Sequence, residues 1–410
     1  MMPGGQGGVG KLDIGTLDET TTEAASIATS PEFALLLEAC AEPPDPPRFQ
    51  LASSRLKGAD WERLIALADE HGVTALLYLA LTKNGETQAP SAITCELERR
   101  YNANVHKSLL QARELFRVLE AFQNAGISAI PYKGVVLSEL AYGDLAIRQA
   151  GDIDLLVRSE DVPQAQFVAE RLGYTPCLQL SDAELRRYLT IGYEMSFDYG
   201  KHRNLLELKW NILPRFYAVD FDMEAMLSAD TSTPFAGGTI RSLALEDLFL
   251  VLCVHAAKHC WSHLIWLCDI SRLLNQASLD WGKIAGKARD LGIARLVRTT
   301  LGLADQLLHA PIPPLPMLDP AGDPAAGRLV REIATQIVTG VWLNPESLAY
   351  FRLMARMRER RGDRIRFISR LAFTPGPNEW SAVKLPRQVN SFYRFVRVWR
   401  LGRRLLGMRS

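Results

Sequence analysis

Asp152 and Asp154 stand two residues apart at the head of the apolar run Asp152-Ile153-Asp154-Leu155-Leu156-Val157. In a β-strand, side chains at i and i+2 leave the same face, roughly 6–7 Å apart. Two carboxylates held that close repel each other, and a cation between them relieves the repulsion. Upstream lie Lys133-Gly134 and Arg148. A glycine-bearing turn that opens a helix, an ammonium and a guanidinium fork are the groups that approach phosphate. Mg²⁺ takes oxygen ligands, commonly with one or two carboxylates per ion and the rest from water and phosphate. Bridging triphosphate oxygens, such an ion neutralises charge as the α-phosphate is attacked, often with a second metal activating an acceptor hydroxyl. A third carboxylate is expected from a neighbouring strand. Glu207 is the candidate, in the otherwise apolar Asn204-Leu205-Leu206-Glu207-Leu208-Lys209-Trp210.

Each of these signals has a plainer reading. An isolated Asp-x-Asp usually caps a turn, a Lys-Gly pair is usually an ordinary turn, and a strand acid often faces water. Arg148 reads equally as a phosphate fork or as an ion-pair partner that orients the acids. Taken together, the pair, Lys133-Gly134, Arg148 and the later strand acid favour a metal-and-phosphate site.

Positioning these residues requires strands, and the chain supplies them in the middle. Residues 1–30 are small and polar, which predicts disorder. Helical spacing starts at Ser30-Pro31-Glu32, is broken by the Pro-rich segment 42–48, and resumes over 60–68 and 73–81. A long helix is expected from about Ser91 to Gly126, with Leu109, Leu110, Ala112, Leu115, Phe116, Leu119 and Phe122 on one side. The pattern then changes. A strand over 127–132 ends in Lys133-Gly134, a helix covers 135–142, a loop covers 143–151, and 152–157 is a strand. A helix opens at 159–163 and stops at Leu172-Gly173, and further strands are expected near 174–177, 194–199 and 204–210. From Ala244 the chain is helical again to about Val341, with Pro311–Pro316 as a connector. The expected class is α/β (α+β), a mixed-sheet core between helical segments. Its divisions are a disordered 1–30, a helical 31–126, the core 127–243, a helical 244–345 and a basic 346–410.

At 410 residues, with 48% apolar and 23% charged residues, the chain can bury a large core. A formal net charge of +1 conceals an uneven distribution: from Glu346 onward, sixteen Arg/Lys face four acids. A basic segment on an acidic body can meet an anionic partner or pack back on that body. Packing is the preferred reading, because Arg356, Arg358, Arg360 and Arg361 alternate with Met and Glu at helical spacing and no RNA-binding motif occurs. Nucleic acid is therefore possible but not favoured, and the later Val396, Trp399, Leu401 and Leu405 are compatible with packing or weak membrane association. The six cysteines form no C-x-x-C pair, no apolar run approaches 18 residues, and no basic-then-apolar leader pattern occurs. The expected location is the cytoplasm, with free thiols.

The order Lys133-Gly134, Tyr142, Arg148 and Gly151-Asp152-Ile153-Asp154-Leu155-Leu156-Val157 resembles an uncharacterised nucleotidyltransferase family of bacterial proteins. Glu207-Leu208-Lys209-Trp210 resembles its later acid-Leu-His-Trp segment, with Lys209 where histidine is usual. Val135 follows the first glycine where the wider superfamily prefers Ser or Gly. His255-Ala256-Ala257-Lys258-His259-Cys260-Trp261, Leu267-Cys268-Asp269-Ile270, and the series Pro375, Trp380, Leu385-Pro386, Tyr393 and Arg397 resemble further family segments, so the likeness spans residues 35–404. The resemblance implies Mg²⁺-dependent (or Mn²⁺-dependent) transfer of a nucleoside monophosphate from an NTP, with ATP the expected one, to an unknown acceptor. The acceptor is left open among a small molecule, a peptide or protein side chain and an RNA end.

In that reading Asp152, Asp154 and Glu207 hold metal, with Glu207 as base for the acceptor. Lys133, Gly134, Arg148, His255, Lys258 and His259 bind the nucleotide. The alternative is a non-catalytic nucleotide-binding or scaffold protein that keeps the fold. His255, His259 and His263 recur every four residues as a stripe on one expected helix. That stripe is weighed as a zinc site, as groups facing the triphosphate or base, or as polar residues satisfied at a domain junction. Zinc is the least favoured, since no H-E-x-x-H pattern occurs. Asp269 is expected to be structural.

Overall fold

The two-residue period of β-strands dictates how the sheet faces its core. The computed structural model describes residues 29–56, 60–83, 89–149, 151–200, 204–275, 279–344 and 347–374. Five strands, β1 (Ala129–Pro131), β2 (Asp152–Val157), β3 (Thr175–Pro176), β4 (Glu194–Tyr199) and β5 (Asn204–Lys209), form one sheet in the order β1-β2-β5-β4-β3. Only β2 and β5 run parallel; every other pairing is antiparallel. The mixed α/β class and the three chemistry-bearing strand positions agree with the sequence reading.

On one face of the sheet Ile153, Leu155, Val157, Met195, Phe197, Leu206 and Leu208 are buried. They pack against Ala112, Leu115, Val118 and Phe122 of the long helix Ser91–Asn124 and against Val162, Ala165 and Ala169 of the helix Val162–Arg171. Because side chains alternate, this burial commits Asp152, Asp154, Glu207 and Lys209 to the opposite face. The long helix is rotated from the stripe expected: Val118 is buried, whereas Leu109 and Leu110 are more than half exposed. Adjacent residues 109 and 110 cannot share a face with 112, 115, 118 and 122, which follow the 3.6-residue period more closely.

A second core joins chain segments that are far apart in sequence. Helices Pro31–Cys40, Asp60–Glu70 and Thr74–Lys83 share it with Leu245–Lys258, Leu264–Leu274, Ala294–Leu308 and Pro324–Thr339. Ser30 caps the first of these, accepting from the Phe33 N–H at 3.3 Å. Within the expected Pro-rich break, a helix restarts at Pro46 with Asp45 as its cap. Elements not expected from the sequence include the helix Asp182–Ile191, opened by a capping box of Ser181 and Glu184, and the hairpin of β6 (Ser232–Phe235) and β7 (Gly238–Arg241).

His71 ties the two helical parts together. Its Nδ1 accepts from the Leu264 N–H at 3.3 Å, and its carbonyl accepts from the Ile265 N–H at 3.2 Å. Burial, with the nearby His263, holds the ring's pKa down at about 4. The unfolded chain therefore binds a proton that the folded chain refuses between about pH 6.5 and pH 4. Stability should fall as pH drops through that window, by up to roughly 3 kcal/mol for this one ring. Urea unfolding of the wild type and of His71→Gln across pH 4–7.5 checks it; an equal pH slope in both would refute the assignment.

The described part of the basic C-terminal segment packs on the body. Arg358 is buried, donating to the Tyr217 carbonyl at 2.6 Å, with its guanidinium 5.5 Å from the Phe367 ring centroid. Arg356 pairs with Glu332 (2.7 Å) and Arg370 with Asp220 (2.6 Å). Of residues 1–30, expected to be disordered, 1–28 lie outside the described residues, as do the motif residues Pro375, Trp380, Leu385, Pro386, Tyr393 and Arg397, while Ser30 is ordered as a helix cap. Among the described residues, no helix is long and apolar enough to cross a membrane.

Candidate functional site

Asp154 and Glu207 are direct neighbours across the parallel β2–β5 pair. With Asp152, they bring one carboxylate oxygen each to within 4.8 Å of one another. Among the described residues this is the one group of three His, Cys, Asp or Glu donors close enough to share an ion. An octahedral Mg²⁺ with ligands at about 2.1 Å spans oxygens up to about 4.2 Å apart. A small inward movement therefore suits the triad to one hard cation.

Lysines surround the acids. Lys133 Nζ lies 3.1 Å from Asp154 Oδ1. Lys209, buried on β5, lies 3.4 Å from the same oxygen and 2.6 Å from Glu207 Oε2, and also touches Glu194 Oε2. Glu194 sits opposite Lys209 on β4 and accepts from the Tyr193 hydroxyl, which in turn accepts from Lys258 Nζ at 3.1 Å. Burial pushes the Asp154 carboxyl up, but Lys133 and Lys209 outweigh it and hold the pKa down at about 2. Burial and the neighbouring Asp154 charge raise Asp152. Glu207 is also raised, by burial and Asp154, against the pull of Lys209. For Lys209 the three acids overcome burial and push the ammonium up. Burial and the other two lysines depress Lys258, despite Glu194.

Gly134 brings the start of the helix Gly134–Tyr142 onto this face. It adopts φ +60°, and a Cβ there would stand 3.2 Å from the Asp152 carbonyl oxygen. Gly134→Ala should therefore destabilise the protein by roughly 1–2 kcal/mol. It should also displace Lys133 from Asp154. A melting temperature equal to wild type would show that this turn tolerates a side chain.

The histidines depart from the expected single-helix stripe. The helix stops at Lys258, His259 caps it, and His263 precedes the next helix. Cys260 and Trp261 turn the chain in the left-handed region (φ +53° and +49°). Trp261, fully buried, stabilises that turn by donating its indole N–H to Thr300 Oγ1 at 3.2 Å. Tertiary burial of one indole has overridden helical spacing. His255, His259 and His263 nevertheless converge on the Trp266 ring, at centroid distances of 5.3, 5.1 and 4.7 Å. Burial, with Lys133 and Lys258 nearby, lowers His255 well below its ordinary value, and burial with the same lysines lowers His259 to about 4. Both rings are thus neutral donors or acceptors near the lysines.

Arg148 is buried and pairs with an acid outside the triad. Its Nε pairs with the fully buried Asp269 at 2.9 Å, and Asp269 also accepts from the Tyr142 hydroxyl at 2.9 Å. Asn104 donates to the Ala146 and Arg148 carbonyls (2.6 and 3.1 Å), fixing the loop that leads into β2. Arg148 also lines a cavity of about 270 Å³ with Gln149, His263 and Trp266. The sequence reading missed Glu194 and Tyr193, since one acid at a strand's start resembles any solvated strand end. Their only sequence signal was an acid opening the alternating segment 194–199.

No curated protein and no solved structure matches this chain. The model of the uncharacterised nucleotidyltransferase family matches residues 57–309, which hold both candidate strands, the lysines and the histidine turn. That match covers more than half of the 410 residues, and the chain belongs to this nucleotidyltransferase family.

Proposed function

We propose that the protein transfers a nucleoside monophosphate from an NTP, ATP foremost, to an acceptor and releases pyrophosphate, with Mg²⁺ or Mn²⁺ held by Asp152, Asp154 and Glu207. The observation that carries this reading is the approach of three carboxylates within 4.8 Å on adjacent parallel strands, beside Lys133 and the N-terminus of its helix. When bound, the cation supplies neutralisation of phosphate oxygens during attack at the α-phosphorus.

The chain's own groups do the rest. Lys133 and the backbone N–H groups after Gly134 receive phosphate oxygens. Lys258, His255 and His259 contribute charge and hydrogen bonds from the helical layer. Arg148 acts as a positioning group, holding the Leu264–Leu274 helix to the β2 loop through Asp269. Glu207, with its raised pKa, takes the proton of an acceptor hydroxyl.

Binding to the folded state alone raises stability by about 2.7 kcal/mol at a hundred times Kd. Melting curves with each of the four NTPs should therefore shift upward only when Mg²⁺ or Mn²⁺ is present. Labelled NTPs incubated with a host extract then identify the acceptor by the mass added to it. No shift with any NTP–metal pair would overturn the reading.

A further inference from the structure

A lysine inside a metal-binding carboxylate cluster needs a reason. A two-metal site places its ions about 3.5–4 Å apart and shares carboxylate oxygens between them. Here the oxygens that a second ion would use are already engaged. Glu207 Oε2 and Glu194 Oε2 contact Lys209, Glu194 Oε1 accepts from Tyr193, and Asp154 Oδ1 faces both Lys133 and Lys209. Asp152 keeps both oxygens and Asp154 and Glu207 keep one each, so one ion takes a ligand from every triad member and a second ion would find only the other Asp152 oxygen. Charge points the same way: Asp152, Asp154, Glu194 and Glu207 face the ammonium groups of Lys133, Lys209 and Lys258. One divalent cation already reverses that balance, and a second would add positive charge to a half-buried site with only the second Asp152 oxygen left to meet it.

Lys209 cannot simply withdraw. Its backbone is in the central pair of the sheet, its side chain is 7% exposed, and its ammonium is held by three carboxylates with the Tyr193 ring 5.8 Å away.

We propose that the Lys209 ammonium, held among Asp154, Glu194 and Glu207, stands in for a second divalent cation, so that this site takes one metal ion per chain. The proposal rests on the reading of Asp152, Asp154 and Glu207 as metal ligands. A fixed ammonium neutralises Glu207 and Glu194 as an ion would, but it cannot lower the pKa of a bound hydroxyl. Acceptor activation then falls to a carboxylate.

Titration of the full chain with Mn²⁺ alone, reading free Mn²⁺ by electron paramagnetic resonance, counts the ions directly. The expected result is one Mn²⁺ per chain, lost in Asp152→Asn. Lys209→Met, which keeps the stem and removes the charge, should expose Glu194 and Glu207 and raise the count to two at millimolar Mn²⁺. Two ions in the wild type, or one in a folded Lys209→Met, would overturn the role of Lys209 while leaving the metal site intact. No bound ion in the wild type would instead overturn the metal reading itself. If Lys209→Met fails to fold by circular dichroism, Glu194→Gln provides the second arm. Freed from one partner, Lys209 then stays on Glu207 and Asp154, and the count must remain one; a count of two would refute the proposal.

Discussion

Asp152→Asn is expected to abolish pyrophosphate release and leave the fold nearly untouched, whereas Asp154→Asn should damage both. The two acids are equivalent in sequence but not in surroundings. Asp154 is buried and faces Lys133 at 3.1 Å and Lys209 at 3.4 Å. Removing its charge takes the carboxylate at 3.1 Å from the part-buried Lys133 and one of three from Lys209, and breaking a buried pair costs about 3–5 kcal/mol. Asp152 is only half-buried and, among the described residues, carries no such ion pair. Burial and the Asp154 charge raise its pKa, so folding disfavours its charge relative to the unfolded chain and the amide should cost little stability. Loss of a metal ligand removes several kcal/mol of transition-state stabilisation, and each 1.36 kcal/mol is tenfold in rate, so activity should fall by at least about a hundredfold in both variants. Urea unfolding alongside a pyrophosphate-release assay separates the effects. Full activity in Asp152→Asn would eliminate the carboxylate pair as a metal site. An unchanged unfolding midpoint in Asp154→Asn would mean that the lysines do not depend on it.

The second large effect lies away from the carboxylates. Trp261→Ala should cost about 3–5 kcal/mol, the range for truncating a fully buried large aromatic. The loss should exceed simple cavity formation in its consequences, because Trp261 holds the left-handed turn between the two helices that carry His255, Lys258 and Trp266. Its backbone N–H also donates to the Ala256 carbonyl at 2.7 Å. Trp261→Phe keeps much of the volume and loses only the indole donor to Thr300, so it should recover most of the stability. The readouts are the unfolding free energy and the NTP-dependent melting shift. A nucleotide shift in Trp261→Ala equal to that of wild type would show that the histidine turn does not contribute to the site.

Much of the sheet was legible because two-residue alternation is a local signal. Asp152–Val157 and Glu194–Tyr199 were bounded correctly, since burial of Ile153, Leu155, Met195 and Phe197 forces their neighbours outward. Glu207 was marked only as the acid of an otherwise apolar segment, and its face came from the register of its strand with β2. Helix ends were less legible wherever a distant residue decided them. The apolar stretch from Leu245 to Leu274 reads as one helix, and only the seat of Trp261 beside Thr300 breaks it. The rotation of the long helix away from Leu109 and Leu110 was set in the same way, by what the sheet offers it.

The sequence by itself determined which residues could hold a cation and phosphate: Asp152, Asp154, Glu207, Lys133 and Gly134, all marked by residue type and short-range spacing. Tertiary structure alone decided who stands between them. Glu207 and Lys209 share a face by their two-residue spacing, but Lys209 reaches Asp154 and Glu194 because β5 lies parallel to β2 and antiparallel to β4. Arg148 turns to Asp269 because that acid is fully buried on a helix more than a hundred residues away, where a charge needs a partner. Charge pairing in a buried site depends on strand order and on long-range burial, and neither leaves a periodic trace along the chain.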